Sequence, residues 1–161
     1  MADLDAERQF DRQWPELSFR CGALPFRSDD IGDMQFLLIR RRGDEGWSVP
    51  KGNLIPGSTM AGTAVTEAFE EAGVCGTVAP RPLGSYRHLK CGRGILTLPR
   101  FVEVVLFPLE VETQVDHWPE RGLRERRWFN RNEVRYVIEP RPLWNLISLF
   151  DTGLPALAMN A

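Results

Sequence analysis

The chain predicts an α+β or α/β domain in which helices pack against a mixed sheet. Three observations lead there. Short apolar runs between turn signals recur along the chain, as at Phe19–Leu24 and Phe36–Arg40. The stretch from residue 59 to 72 carries the 3.6-residue period of an amphipathic helix. The chain then closes with two further helical segments, and in the second of them Leu143, Leu146, Ile147 and Phe150 share one side.

Taken in order, residues 1–17 form an N-terminal arm, with Phe10 and Trp14 available to dock on the body or on a partner subunit. Residues 18–153 form the domain and 154–161 a tail. Strands at Phe19–Leu24 and Phe36–Arg40 are joined by the polar turn Asp29-Asp30-Ile31-Gly32-Asp33. A second turn, Arg42 to Gly46, precedes a short strand at Trp47–Val49. Ser58 or Thr59 starts the central helix as an N-cap, and Gly73 stops it in a left-handed cap. Ala61, Val65, Ala68, Phe69 and Ala72 form its apolar face. Gly62 inside it costs about 1 kcal/mol relative to alanine. A strand follows at Gly84–Leu89, then a long one from Arg100 to about Val111, where Pro108 is expected to bulge or end the pairing. Residues 114–122 read as a loop and Glu125–Phe129 as the last strand.

Composition excludes several classes. A chain of 161 residues supports one core and buries roughly 70% of its unfolded surface. A net charge of -2 gives no field for nucleic acid or membranes. No apolar run approaches the ~20 residues of a membrane span, and the N-terminus MADLDAERQF has no signal-peptide core. Cys21, Cys75 and Cys91 lack paired metal spacing, and an odd number argues against a disulfide framework. The cytoplasm is the expected compartment. His88 and His117 are the two histidines, so a histidine metal site or a histidine-activated nucleophile is unsupported. Trp47, Trp118, Trp128 and Trp144 are assigned to packing before base stacking.

The chemistry concentrates in Glu67, Glu70 and Glu71, which share one helix face at i, i+3 and i+4. Like charges at that spacing repel, and a hard divalent cation such as Mg²⁺ relieves the repulsion with oxygen ligands. Spacing alone leaves a solvated acidic face equally open. Charge elsewhere is uneven. No Asp or Glu occurs between Ala72 and Val102, where Arg81, Arg87, His88, Lys90, Arg93 and Arg100 lie. Arg40, Arg41 and Arg42 form a second basic cluster, and Lys51 abuts the acidic segment. Guanidinium groups suit bidentate phosphate binding. Carboxylates for a metal beside cations for phosphate is the requirement of phosphoanhydride hydrolysis.

The segment Gly52 to Val74 resembles the Nudix box of the Nudix hydrolases: Gly52, Glu67, Ala68, Glu70, Glu71, Gly73 and Val74 stand at the box spacing. Ser58 replaces the first glutamate of that pattern and Thr66 its arginine. The likeness runs from about Phe19 to about Phe150. Trp47 to Gly52, Phe19 to Arg27 and Arg127 to Val134 are similar to the branch that hydrolyses diphosphoinositol and diadenosine polyphosphates. The resemblance implies an α/β/α sandwich and a Mg²⁺ cofactor, with Mn²⁺ as a substitute. It implies Glu67, Glu70 and Glu71 as metal ligands and catalytic residues. Arg20, Arg42, Lys51, His88 and Arg100 are the expected substrate contacts. The general base is Glu67 or a later acid, Glu120 or Glu125. The expected activity is hydrolysis of a phosphoanhydride in a nucleoside diphosphate linked to another group, favouring diadenosine polyphosphates or inositol pyrophosphates. The rival reading, motivated by Ser58 and Thr66, is a weakened domain that binds a phospho-ligand without turnover. The expected partner is a small polyphosphate, with no nucleic acid or membrane, in a monomer or homodimer.

Overall fold

The computed structural model describes residues 17–91 and 98–150; Phe10, Trp14, Arg93 and the tail fall outside the described residues. Seven strands are present in one sheet: β1 (Ser18–Ser28), β2 (Met34–Arg41), β3 (Lys51–Gly52), β4 (Val74–Val78), β5 (Gly84–Lys90), β6 (Arg100–Gln114) and β7 (Arg124–Asn130). The spatial order is β4-β6-β1-β2-β7, with β3 also on β1 and β5 also on β6. β1 and β6 run parallel from Ser18↔Val102 to Phe26↔Glu110, and the other pairs are antiparallel. Among the described residues three helices pack on the sheet: α1 (Met60–Ala72), α2 (Arg131–Val137) and α3 (Arg141–Phe150). The mixed sheet between helices is the α+β sandwich expected above.

Alternation along the strands divides the core in two. On one face Ala23, Leu37, Ile39, Phe107 and Leu109 meet Ala64, Ala68 and Ala72 of α1. Alanines on the helix allow it close to the sheet. On the other face Leu24, Phe36, Leu38, Val104 and Leu106 meet Val134 of α2 and Leu143 and Ile147 of α3. Phe150 closes that face against Phe26, with ring centroids 4.9 Å apart. Asn130 caps α2 through a reciprocal pair of hydrogen bonds with Glu133.

Three details differ from expectation and one is met in part. Trp47–Val49 is not a strand: Ser48 bridges Ile39 and Trp47 bridges Ile138, and the regular pairing starts at Lys51. β4 was not anticipated, because Val74–Val78 directly follows the helix cap and contains Gly76 at a bulge. Pro108 does not bulge and β6 runs past it, paired to Leu24 of β1, but the pairing on the other edge does end there. Pro108 lies between the last pair with β5 (Gly84↔Leu106) and the first with β4 (Val78↔Leu109), where the missing N–H breaks no ladder. Phe69 is 37% exposed, at the margin of the apolar stripe, and Glu71 is buried nearer its centre.

Gly73 closes α1 at φ 64°, with its N–H bonded to Ala68 and Phe69 carbonyls. A Cβ there would stand 2.7 Å from an Arg126 guanidinium nitrogen and 2.9 Å from Trp118. Gly57 also has positive φ (79°) but open space around it. Gly73→Ala is therefore expected to cost more than about 1 kcal/mol, and more than Gly57→Ala. Urea unfolding of both variants checks this through their midpoints at unchanged m.

Candidate active site

α1 carries the acidic face because its caps fix where it begins and ends. The Thr59 hydroxyl accepts the Gly62 N–H at 2.9 Å, and Gly73 ends the helix. Between them Glu67 is half-buried, Glu70 is exposed and Glu71 is only 6% exposed. One oxygen of Glu71 accepts the backbone N–H of Lys51 at 3.0 Å, joining α1 to β3. The other accepts the guanidinium of Arg124, which also binds Glu120 through Nε. The loop holding Glu120 is tied to the same helix by its own N–H, bonded to the Glu70 carbonyl at 3.0 Å. Gly52 lies directly under Glu67: a Cβ at this position would fall 1.8 Å from Glu67 Oε1. The glycine of the motif is thus the space in which the Glu67 carboxylate lies.

Crowding perturbs these acids. Burial, then the charges of Glu71, Glu70 and Glu120, raise Glu67 to about 7, with Arg124 opposing. Burial also raises Glu71, against Arg124 and Lys51. Among the described residues no three His, Cys, Asp or Glu side chains converge as a metal-holding group. The three glutamates share a face, while Glu71 is engaged by Lys51 and Arg124. The donor set nevertheless fits Mg²⁺ or Mn²⁺, since it is all oxygen and mutually repelling, the condition a hard divalent cation relieves.

Glu71 forms part of the wall of a cleft of about 830 Å³. Arg20, Arg41, Lys51, His88 and Arg100 line it with Arg124, so anion-binding groups meet the acidic face at Lys51 and Glu71. β1, β6 and β5 build its floor in register: Arg20 and Tyr86 flank Val104, and Ser18 and His88 flank Val102. Buried Arg20 Nε and His88 Nε2 have no hydrogen-bond partner. Burial and then Lys51 hold His88 below its ordinary value, so it is neutral at pH 7 and suited to a polar contact. Burial lowers Lys51 to about 8, with Glu71 opposing; its ammonium reaches Ser48 Oγ at 3.2 Å and the Val49 carbonyl at 3.3 Å.

Of the expected substrate contacts, the structure brings Arg20, Lys51, His88 and Arg100 to this cleft. Arg42 is not among the lining residues; its guanidinium binds the carbonyls of Gly122 (3.1 Å) and Arg121 (3.4 Å). Glu125, considered as a late general base, pairs instead with Arg40 at 2.5 Å and Arg42 at 3.7 Å. Glu120, the other late acid, does stand beside Glu67 electrostatically. Arg124 was not singled out in sequence. Its signal is the i, i+4 spacing from Glu120, obscured by the neighbouring arginines of the run Arg121 to Arg127. The tryptophans pack as expected: Arg126 lies 3.9 Å over Trp118, Arg27 lies 4.0 Å over Trp128, and Trp47 meets Phe129 at 5.0 Å.

Residues 21–148 match the NUDIX domain, and the chain belongs to that family, the hydrolases that act on phosphorus-containing anhydrides. It is 33% identical over 134 residues to Nudix hydrolase 17, mitochondrial, of Arabidopsis thaliana, covering 80% of this chain and 70% of that protein. It is 30% identical over 122 residues to diphosphoinositol polyphosphate phosphohydrolase 3-beta of Bos taurus, covering 74% and 68%. The fold is shared with the Ap4A hydrolase of C. elegans: TM-score 0.59, 20% identity, 84% of this chain and 96% of that one.

A raised carboxyl binds its proton more tightly in the folded than in the unfolded chain. Glu67 therefore withdraws stability from the metal-free protein as pH rises from its unfolded value through about 7. Glu67→Gln, neutral at every pH, is expected to raise the melting temperature at pH 8.5 and to leave it nearly unchanged at pH 4. Thermal unfolding in chelator at both pH values checks the sign. A gain of the same size at both would show that the charge is not the cause.

Proposed function

We propose that this chain hydrolyses a phosphoanhydride bond in a small molecule bearing several phosphates, with Mg²⁺, or Mn²⁺ in its place, held by Glu67, Glu70 and Glu71. The observation that carries this reading is the contact between the two charge groups: Glu71 of the acidic face borders the same cleft as Arg20, Lys51 and Arg100. When bound, the metal withdraws charge from phosphate oxygens and lowers the pKa of water. The remaining tasks fall to the protein. Arg20, Arg41 and Arg100 bind phosphate oxygens, and neutral His88 donates or accepts a hydrogen bond at Nε2. Glu67, on the same helix face, accepts the proton of the attacking water on its carboxylate. Glu120 is less suited, being committed to Arg124.

Among the described residues lining the cleft there is no Phe, Tyr or Trp. Recognition by phosphate charge, without base stacking, favours an inositol pyrophosphate, in keeping with the name of the bovine relative. Diadenosine polyphosphates are the second reading, supported by their phosphate count.

With Mg²⁺, kcat/KM for an inositol pyrophosphate or diadenosine tetraphosphate is expected to exceed that for a sugar nucleotide by at least about tenfold. Glu70→Gln and Glu71→Gln should lower turnover by orders of magnitude in a folded protein. Binding of the polyphosphates without turnover would favour the phospho-ligand-binding alternative. A preference for sugar nucleotides would refute the polyphosphate assignment.

A further inference from the structure

We propose that Arg124 is a positioning residue that fixes the metal-holding carboxylate of Glu71 against the loop acid Glu120, supplying from the sheet a guanidinium that Thr66 does not supply from the helix. The proposal rests on the function above for its kinetic consequence, though not for its structural one. Arg124 is the first residue of β7, opposite Arg41 of β2. Its side chain is four-fifths buried, and its fork spans two carboxylates: a terminal nitrogen bonds Glu71 and Nε bonds Glu120. Glu71 is thereby held at both oxygens, by the Lys51 N–H from β3 and by Arg124 from β7. Thr66, in contrast, turns its hydroxyl back to the Gly62 carbonyl at 3.1 Å.

The same guanidinium carries the loop before β7. Glu120 donates its backbone N–H to the Glu70 carbonyl, and Leu123 and Arg124 donate theirs to the Glu120 carbonyl at 2.9 and 3.0 Å. Arg124 thus anchors a small closed unit: helix residue 71, loop residue 120 and strand residue 124. A planar fork fixes two carboxylates relative to each other. A lysine carries the charge on one nitrogen and lacks that geometry. Misplacing a reacting group by about 1 Å costs on the order of 10²-fold in rate.

Arg124 also borders the cleft, so a direct grip on substrate phosphate is the competing role. The test compares Arg124→Gln and Arg124→Lys with the parent. Steady-state kinetics use Mg²⁺ and the best polyphosphate, and amide hydrogen exchange is followed without metal or substrate. In Arg124→Gln, kcat is expected to fall about 10²-fold while KM stays within about threefold. The amides of Glu120, Leu123 and Arg124 should exchange faster, with the β1–β6 amides unchanged. Arg124→Lys should restore little of either. Glu120→Gln, which loosens the same bond from the loop side, should accelerate the same amides and serves if the Arg124 variants do not fold. A rise in KM with kcat retained, full rescue by lysine, or unchanged exchange at 120–124 overturns the proposal. If the parent turns over no polyphosphate, the functional reading fails, and the exchange result still decides the positioning role.

Discussion

Carboxylates crowd one end of this molecule, and much of the surrounding structure answers that repulsion. Glu67, Glu70 and Glu71 stand on one side of α1, with Glu120 beside them, and Glu71 is nearly excluded from water. Burying charge is unfavourable unless it is paired. In the metal-free chain the pairing comes from the Lys51 amide and from Arg124, while Glu67 is driven toward its protonated form. Each of these responses constrains a different element. β3 must bring its amide to the helix, Gly52 must lack a side chain, and β7 must begin with a cation.

The packing of α1 makes those contacts possible. Ala64, Ala68 and Ala72 seat the helix low on Ala23 and Phe107, so that Glu71 reaches the backbone of Lys51 on β3, which is paired with β1. Arg126 then binds the carbonyls of Ala72 and Gly73 at 2.7 and 3.3 Å, holding the helix end where its own hydrogen bonds run out. Across the sheet edge the pairing of β1, β6 and β5 presents Arg20 and His88 with polar atoms unmatched by the protein. Acidic and basic groups are thus held by separate elements and meet at a boundary, where Arg124 pairs with Glu71 and Glu120.

What was legible in the sequence is local. The glutamate spacing, the Thr59 and Gly73 caps and the apolar side of α3 all depend on residues within a few positions of each other. Gly52 was legible only as part of a spaced pattern; its reason, the Glu67 carboxylate against it, is tertiary. Arg20 and Arg42 drew notice through the family resemblance and Arg100 through the acid-free basic stretch, and of these Arg20 and Arg100 line the cleft. Arg42 lies in the turn just beyond β2, where the 121 and 122 carbonyls take up its guanidinium. Arg124 could not be chosen from its neighbours, since its two carboxylate partners lie on different elements. Pro108 did mark an end of pairing, but on one edge only: β6 exchanges β5 for β4 there while its pairing with β1 continues.

The central claim is that a divalent cation relieves the carboxylate repulsion, and proton release measures this most directly. Mg²⁺ or Mn²⁺ would be titrated into the metal-free protein by calorimetry at pH 7, in two buffers of different ionisation enthalpy. With Glu67 near 7, binding is expected to release at least about half a proton per metal, falling toward zero at pH 9. Saturable binding with no proton release at pH 7, or no binding at all, would contradict the account.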